Sequence, residues 1–576
     1  MPSDPPPRWL TTVVCLVVTA HVGIVAWVSY ANSPNLDELA HLPAGISHWE
    51  FGQFELYRVN PPLVRMAAAL PVLCTDAVHD WSGWDDRLYS RPEFWVGRSF
   101  IRNNGPDASR YFSLARLACL PFSVAGCLVC FRWASELYGW RSGLLSLLLY
   151  SSCPNLIAWG ASITPDAASA ATGLLAAWTY FRWLGVPTLR WAVIASAALG
   201  LAMLTKSTWV FLLLIFPLQW IAFRIICRPK PAEGGRPPAW HLVAILVVGV
   251  YIVNLGYGFE RSFTRLGQFS FISRVLSGED APPQGGNRFA GTVYGMVPVP
   301  LPAAYVLGID VQRYDFERGK WSYLRGEMKK GGWWWYYIYG ILVKTPLGTL
   351  GLIAAAMLSA ACSMRAIGRR RLVDDILLLA PAIFVITLVS SQTGFNRYVR
   401  YVLPVMPFLY VFTGRIACAV QGRKLLRAAV VGLLVFSVVE SAAVLPHSMS
   451  FFNLTAGGPH GGPRHLLDAN IDWAQDLIFL KRWHARHPAK RPLHVAYFGD
   501  WDVPPAAIGI DADQIPKQDL SRPGGVYLRP GWYAVSINYV HGYRYFDGDQ
   551  PVYGYFARLV PVDYAGYSIA IYRVDQ

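Results

Sequence analysis

Charge is what this 576-residue sequence has least of. Asp, Glu, Lys and Arg make up 15% of it, against roughly 25% in ordinary soluble domains. Cysteine is also sparse: there are nine, none beyond residue 418, and all except Cys74 lie in or beside apolar runs. That distribution excludes a disulfide framework and a cysteine metal centre, and the cysteines read as small buried hydrophobes. Internal repeats are missing. No small-residue cleavage site follows the first apolar run, so residues 9–30 read as a helix that stays in the membrane. The formal charge of +15 does not point to nucleic acid, because the basic residues cluster in short loops between apolar runs.

What the sequence has in quantity is apolar surface: 54% of residues are hydrophobic and 14% aromatic. The pattern predicts a mainly α, polytopic membrane protein. Apolar stretches suit helices at 9–30, 111–131, 142–158, 164–181, 189–205, 207–226, 240–258, 335–362, 372–391, 400–418 and 426–446, each near the length needed to span a bilayer core of about 30 Å. With the N-terminus in the cytoplasm, every inward loop is basic. These loops hold Arg132 and Arg141; Arg182 and Arg190; Arg224, Arg228, Lys230 and Arg236; Arg365, Arg369, Arg370 and Arg371; and Arg415, Arg423, Lys424 and Arg427. The outward turn at 159–163 carries no charge. A miscounted span would invert the pattern downstream of the error. Three long segments then face outward: 31–110, 259–334 and the tail. The expected division is a transmembrane domain over 1–446 and a small extracytoplasmic α/β domain over 447–576. The tail opens with the helix-like "DANIDWAQDLIFLKRWHARH", and strand-like runs "LHVAYFG", "GWYAVSINYV" and "GYSIAIYRV" follow. "RPKPAEGGRPP" at 228–238 reads as a cytoplasmic linker.

Polar residues stand out against this background. "SPNLDELA" puts Asp37 and Glu38 side by side where the chain leaves the first helix. A carboxylate there can act as a general base on an incoming hydroxyl. The same letters also spell a capped helix start with acids in its first turn, so both readings stand. "NPPL" at 60–63 introduces a short helix, "VRMAAALPVL", which reads as lying along the membrane interface. Asp166, Lys206, Lys344, Arg397 and Arg400 sit in or at the ends of apolar helices. Ionisable groups at membrane depth are functional candidates, with snorkelling or structural ion pairing as the competing reading. Together they place acids and bases toward the outer side, where an anionic lipid headgroup could be held and attacked.

Several segments also resemble the protein O-mannosyltransferase-like glycosyltransferases of the GT-C fold. They are "LDELAHLPAGISHWEFGQFELYRVNPPLVRMAAALP", "ITPDAASAA", "LAMLTKST", "WSYLRGEMKKGGWWWYYIYGILVKTPL" and "RYVRYVLPVMPFL"; "FFNLTAGGPHGGPRHLLDANIDWAQDL" resembles an extension on bacterial members. The resemblance implies an inverting membrane enzyme that moves a sugar from a polyprenyl-phosphate donor to an acceptor hydroxyl on protein, lipid or glycan at the outer face. It implies Asp37 as base with Glu38 in support, and Lys206, Arg400, Arg58, Arg116 and Lys344 as cations for the donor phosphate. Asp166, Asn60 and His41 would shape the cavity. No cofactor is required and no metal is expected, since preorganised cations can stabilise a leaving phosphate. Two departures matter. Aminoarabinose-transferring relatives carry Glu-Lys where this chain has Val59 and Asn60, which argues against that donor and against lipid A as acceptor. The β-trefoil insert of the protein O-mannosyltransferases is not evident between 259 and 334, which puts a protein acceptor in doubt.

Other signals are weaker. Asp468, Asn470 and Asp472 begin like a calcium loop, but Trp473 and Phe479 occupy the positions that need Gly and Glu. Asp468, Asp472 and Asp476 read instead as a solvated helix face or caps. His484 and His487 lack a third metal ligand. Asn453-Leu-Thr is a glycosylation sequon. The aromatics of "KWSYLRGEMKKGGWWWYYIYG" read as an interfacial belt. Two rival functions fit parts of the sequence. A transporter or flippase of lipid-linked sugars would show inverted repeats and broken midplane helices; a non-catalytic assembly protein would bind no donor.

Overall fold

A computed structural model describes residues 5–85, 87, 90–227, 236–279, 285–363, 369–518, 526, 528–546 and 548–575. The linker at 228–235, with Arg228 and Lys230, and Arg365 lie outside the described residues. The fold is mainly helical. Seven described helices are long and apolar enough to cross a membrane, and the pair Tyr336–Lys344 and Leu347–Cys362, bent by 117°, adds an eighth if it is one crossing. The other three expected spans are helical but broken, small-residue-rich or short. The first is split into Trp140–Ser151 and Pro154–Gly160, where Pro154 ends one hydrogen-bond ladder and opens the next. Pro165–Gly185 is buried along most of its length and rich in alanine, as suits a helix packed among other helices. Leu189–Thr205 has only 17 residues. Of the described cysteines, Cys15, Cys74 and Cys362 are exposed rather than buried.

Three helices after the first span stack tightly: Leu36–Phe51, Leu63–Ala69 and Pro92–Asn104. Two glycines allow this. A Cβ at Gly45 would lie 2.1 Å from the Arg65 carbonyl oxygen, and one at Gly97 would lie 2.2 Å from that of Leu39. The short helix expected at the membrane interface is therefore packed inside the protein. Val64, Arg65, Ala68 and Ala69 are buried, and Arg65 donates to the Tyr57 carbonyl at 2.6 Å.

Between 259 and 334 the described chain forms loops, the helix Ala303–Arg318, and a hairpin of β1 (Trp321–Leu324) and β2 (Glu327–Lys330). The tail carries a five-stranded mixed sheet built from β3 (Leu493–Ala496), β4 (Asp513–Gln514), β5 (Gly531–Ser536), β6 (Asp563–Ala565) and β7 (Ile569–Val574). Its order is β4-β3-β5-β7-β6, with β3 parallel to both neighbours and β7 antiparallel to both of its own. The helix expected over 468–487 is shorter, Leu477–Arg486. Asp468, Asp472 and Asp476 precede it and are buried, not solvated. Asp468 pairs with Arg397 at 3.0 Å, Asp472 accepts from Ser536, and Asp476 meets His447 Nδ1 at 2.9 Å. These three acids tie the tail to the bundle and to its own sheet. The sequon residue Asn453 is also fully buried, donating to the carbonyls of Leu342 and Thr345; its amide is spent on structure.

Candidate active site

A cavity of about 530 Å³ opens where the first loop, the 303–320 segment, the tail and one end of the helical bundle meet. Seven cationic side chains reach it, Arg91, Arg98, Lys206, Arg318, Lys320, Arg397 and Arg400, against four carboxylates, Asp37, Asp166, Asp315 and Asp502. Such an excess favours an anionic ligand.

Asp37 and Glu38 are neighbours in a helix, so their side chains diverge by about 100°, and the structure separates their roles. Glu38 points inward and is fully buried. It closes a capping box with Asn35: its Oε2 accepts from the Asn35 backbone N–H at 2.8 Å, and Asn35 Oδ1 accepts from the Glu38 N–H at 3.2 Å. Its Oε1 also accepts from the Ile163 N–H at 3.0 Å. Arg116 completes the cluster through Nε to Oε1 at 2.8 Å and Nη2 to Oε2 at 2.5 Å. The remaining Arg116 hydrogens go to the carbonyls of Ser29, Asn32 and Ser33. All five of its donors are therefore engaged, and neither Glu38 nor Arg116 lines the cavity. The expected supporting acid and phosphate cation form instead a structural pair that fixes the loop on the bundle.

Asp37 faces the cavity. Its carboxylate meets Arg400 Nη2 at 2.5 Å, with 14% of the Asp37 side chain exposed. Arg400 comes from the 3-10 turn Val399–Val405 and packs over the rings of Trp159, 4.5 Å away, and Tyr398, 4.7 Å away. Its Nε and Nη1 are buried without a hydrogen-bond partner. A buried cationic donor left open is costly, and an incoming anion would satisfy it. Asp166 lies 3.7 Å from Arg400 Nε and accepts from Lys206 Nζ at 2.7 Å. Local structure explains both placements. Asp166 sits in the first turn of Pro165–Gly185, and Lys206 caps the C-terminus of Leu189–Thr205, the ends where each charge is favoured. Asp37, Arg400, Asp166 and Lys206 thus form one continuous chain of alternating charge along the cavity wall.

His41 and Asn60 also line the cavity. Burial, reinforced by the charges of Arg65 and Arg400, holds the His41 imidazole well below its ordinary value. The ring is therefore neutral, and its Nδ1 has no partner. Two expected cations are elsewhere. Lys344 donates to the carbonyls of Met449 at 2.7 Å and Asn470 at 2.6 Å and packs over Phe452. The Arg58 side chain is not in the cavity lining, and its carbonyl is where Gly308 approaches the loop.

The remaining lining came from segments that the sequence did not connect. Arg91 is the residue that precedes the helix Pro92–Asn104, and Arg98 lies within that helix. Arg91 is held by Glu93 at 2.5 Å and Asp315 at 3.3 Å, and Arg98 by Asp502. Lys320 is half-buried, and burial lowers its ammonium from its usual value. The tail contributes Trp501, Asp502, Tyr545 and Phe546. Among the described residues no cluster of three or more His, Cys, Asp or Glu side chains converges as metal ligands would.

Fold and site together define a multi-pass membrane protein with an anion-seeking cavity at one end of its bundle. A family model described as dolichyl-phosphate-mannose-protein mannosyltransferase matches residues 111–253. The stretch contains Asp166 and Lys206 but not Asp37 or Arg400, and it bears out the resemblance to GT-C glycosyltransferases. No curated protein matches. Among solved structures, ArnT from Cupriavidus metallidurans bound to undecaprenyl phosphate aligns at 12% identity over 97% of this chain and 98% of its own, with a TM-score of 0.47. An apo form of the same protein aligns at 14% identity over 97% of each chain, with a TM-score of 0.43. The Archaeoglobus fulgidus oligosaccharyltransferase in complex with Zn and sulfate aligns at 11% identity over 94% of this chain and 71% of its own, with a TM-score of 0.43.

Proposed function

We propose that the protein is an integral membrane glycosyltransferase that moves a sugar from a polyprenyl-phosphate donor to an acceptor hydroxyl on the outer face, with inversion. The observation that carries this reading is Arg400: a buried guanidinium with two open donors, touching the carboxylate of Asp37 inside a cation-rich cavity. The donor phosphate takes the open donors of Arg400, and Lys206 adds positive charge beside it. Once Arg400 is drawn to the phosphate, Asp37 is free to accept the acceptor's hydroxyl proton. The acceptor oxygen bonds to the anomeric carbon from the face opposite the phosphate, and the bond from that carbon to the phosphate oxygen breaks. The phosphate leaves with the electron pair, stabilised by Arg400 and Lys206. Asp166 is a positioning residue that holds the two cations, while His41 and Asn60 shape the cavity. The basic inward loops support an outward-facing site and a cytoplasmic N-terminus, with residues 1–446 as the catalytic membrane domain and 447–576 as an extracytoplasmic one.

The test is purified protein in nanodiscs with a polyprenyl-phosphate hexose labelled in the sugar. Release of unglycosylated polyprenyl phosphate together with a labelled product is expected. In sealed vesicles, movement of intact donor across the bilayer without cleavage would contradict the proposal and favour a flippase.

A further inference from the structure

The tail forms part of the cavity. We infer that its wall, made by Trp501, Tyr545 and Phe546 with the Arg98–Asp502 pair, is the acceptor subsite and that it is built for a carbohydrate. The inference rests on the glycosyltransferase reading and adds the class of acceptor.

The cavity has two chemically different sides. The bundle side is the chain of buried charges around Arg400. On the tail side, Trp501 and Tyr545 stack with centroids 5.7 Å apart and planes 28° from parallel, and Phe546 stands edge-on to Trp501 at 5.6 Å. Asp549 fixes this arrangement by accepting from the backbone N–H groups of both Tyr545 and Phe546, at 2.8 and 2.7 Å. Arg397 lies 4.6 Å from the centroid of the Tyr545 ring and is itself anchored to Asp468. Phe546 is 51% exposed, too open for a core side chain. Beside these rings Asp502, buried, is paired with Arg98, whose guanidinium also covers Trp95 at 4.5 Å.

Flat apolar rings next to a guanidinium–carboxylate pair suit a pyranose. The C–H face of the sugar lies on an aromatic ring, and adjacent hydroxyls bridge guanidinium and carboxylate. The alternatives fit less well. An extended peptide would look for an open strand edge, and no residue of the five-stranded sheet lines the cavity. A lipid acceptor would need an apolar track, whereas the charged side chains of Asp502, Arg98, Arg397 and Lys320 also line this cavity.

The test applies the full chain in detergent to immobilised glycan and peptide arrays, comparing wild type, Asp37→Asn, Trp501→Ala, Trp501→Phe and Phe546→Ala. Wild type and Asp37→Asn should bind at least one glycan class. Trp501→Ala should bind it about tenfold more weakly, the scale of one lost aromatic contact, and Trp501→Phe should recover most of the loss. If Trp501→Ala does not fold, the exposed Phe546→Ala variant reads the same wall. Absence of glycan binding, equal binding by all variants, or capture of peptides instead would overturn the inference. Radiolabelled polyprenyl phosphate, measured in parallel, keeps the two readings apart. Wild type that binds the lipid but no glycan contradicts the acceptor assignment alone, and wild type that binds no lipid contradicts the parent proposal.

Discussion

Replacing Glu38 with alanine should unfold the protein more readily without touching the chemistry directly. The carboxylate is fully buried and is shared by two Arg116 donors and the N–H groups of Asn35 and Ile163. Removing it strands a guanidinium whose side chain is 2% exposed, along with two backbone donors. Breaking a buried ion pair from one side costs about 3–5 kcal/mol. The loss is local to the junction of the first loop, the first span and the Ile163 turn, so limited proteolysis should open that loop first. The assay is thermal unfolding in detergent, followed by fluorescence of a thiol-reactive dye on Cys119 in a background where the exposed Cys15, Cys74 and Cys362 are replaced by serine. This buried cysteine lies in the turn just after Arg116 and should become accessible at lower temperature. A Glu38→Ala protein that melts with the wild type would refute the structural assignment of the pair. A melt unchanged while transfer is lost would return Glu38 to a chemical role.

Three further outcomes follow. Gly97→Ala places a Cβ 2.2 Å from the Leu39 carbonyl oxygen, so it should destabilise by about 1–3 kcal/mol and shift the helix that carries Asp37; wild-type stability and activity would contradict the close packing. Arg400→Ala should weaken binding of polyprenyl phosphate by about 10- to 100-fold, the scale of a charged hydrogen bond, measured by scintillation proximity, and unchanged affinity would remove Arg400 from the phosphate site. Burial raises the Asp472 carboxyl to about 7, whereas the unfolded side chain titrates at about 3.9. Between those values the native state holds a proton that the unfolded chain has released, so stability falls as pH rises through that window. Asp472→Asn should flatten the pH dependence of melting there, and an unchanged slope would contradict the assignment.

The sequence made the helical membrane class legible because apolar runs and loop charge are local signals. Asp37, Asp166, Lys206 and Arg400, the charges that share the cavity wall, were likewise marked by polar letters at the ends of apolar helices. What local reading could not supply was direction. Asp37 and Glu38 differ by one position and about 100° of helix rotation, and only the packing of Arg116 decides which of them is buried. Lys344 stood out as a membrane-depth cation, yet two carbonyls from the tail consume its hydrogens. The acids of 468–476 look solvent-facing by spacing yet are buried, since their partners Arg397, Ser536 and His447 come from other segments. The tail wall was invisible because Arg98 and Asp502 are joined by folding across some four hundred residues.

The most direct test of the account is transfer by Asp37→Asn. Given labelled polyprenyl-phosphate hexose in nanodiscs, the variant should stay folded and still bind polyprenyl phosphate. Its sugar transfer should fall by about 10²–10⁴-fold, the usual contribution of a general base. Transfer at the wild-type rate from that variant would contradict the account.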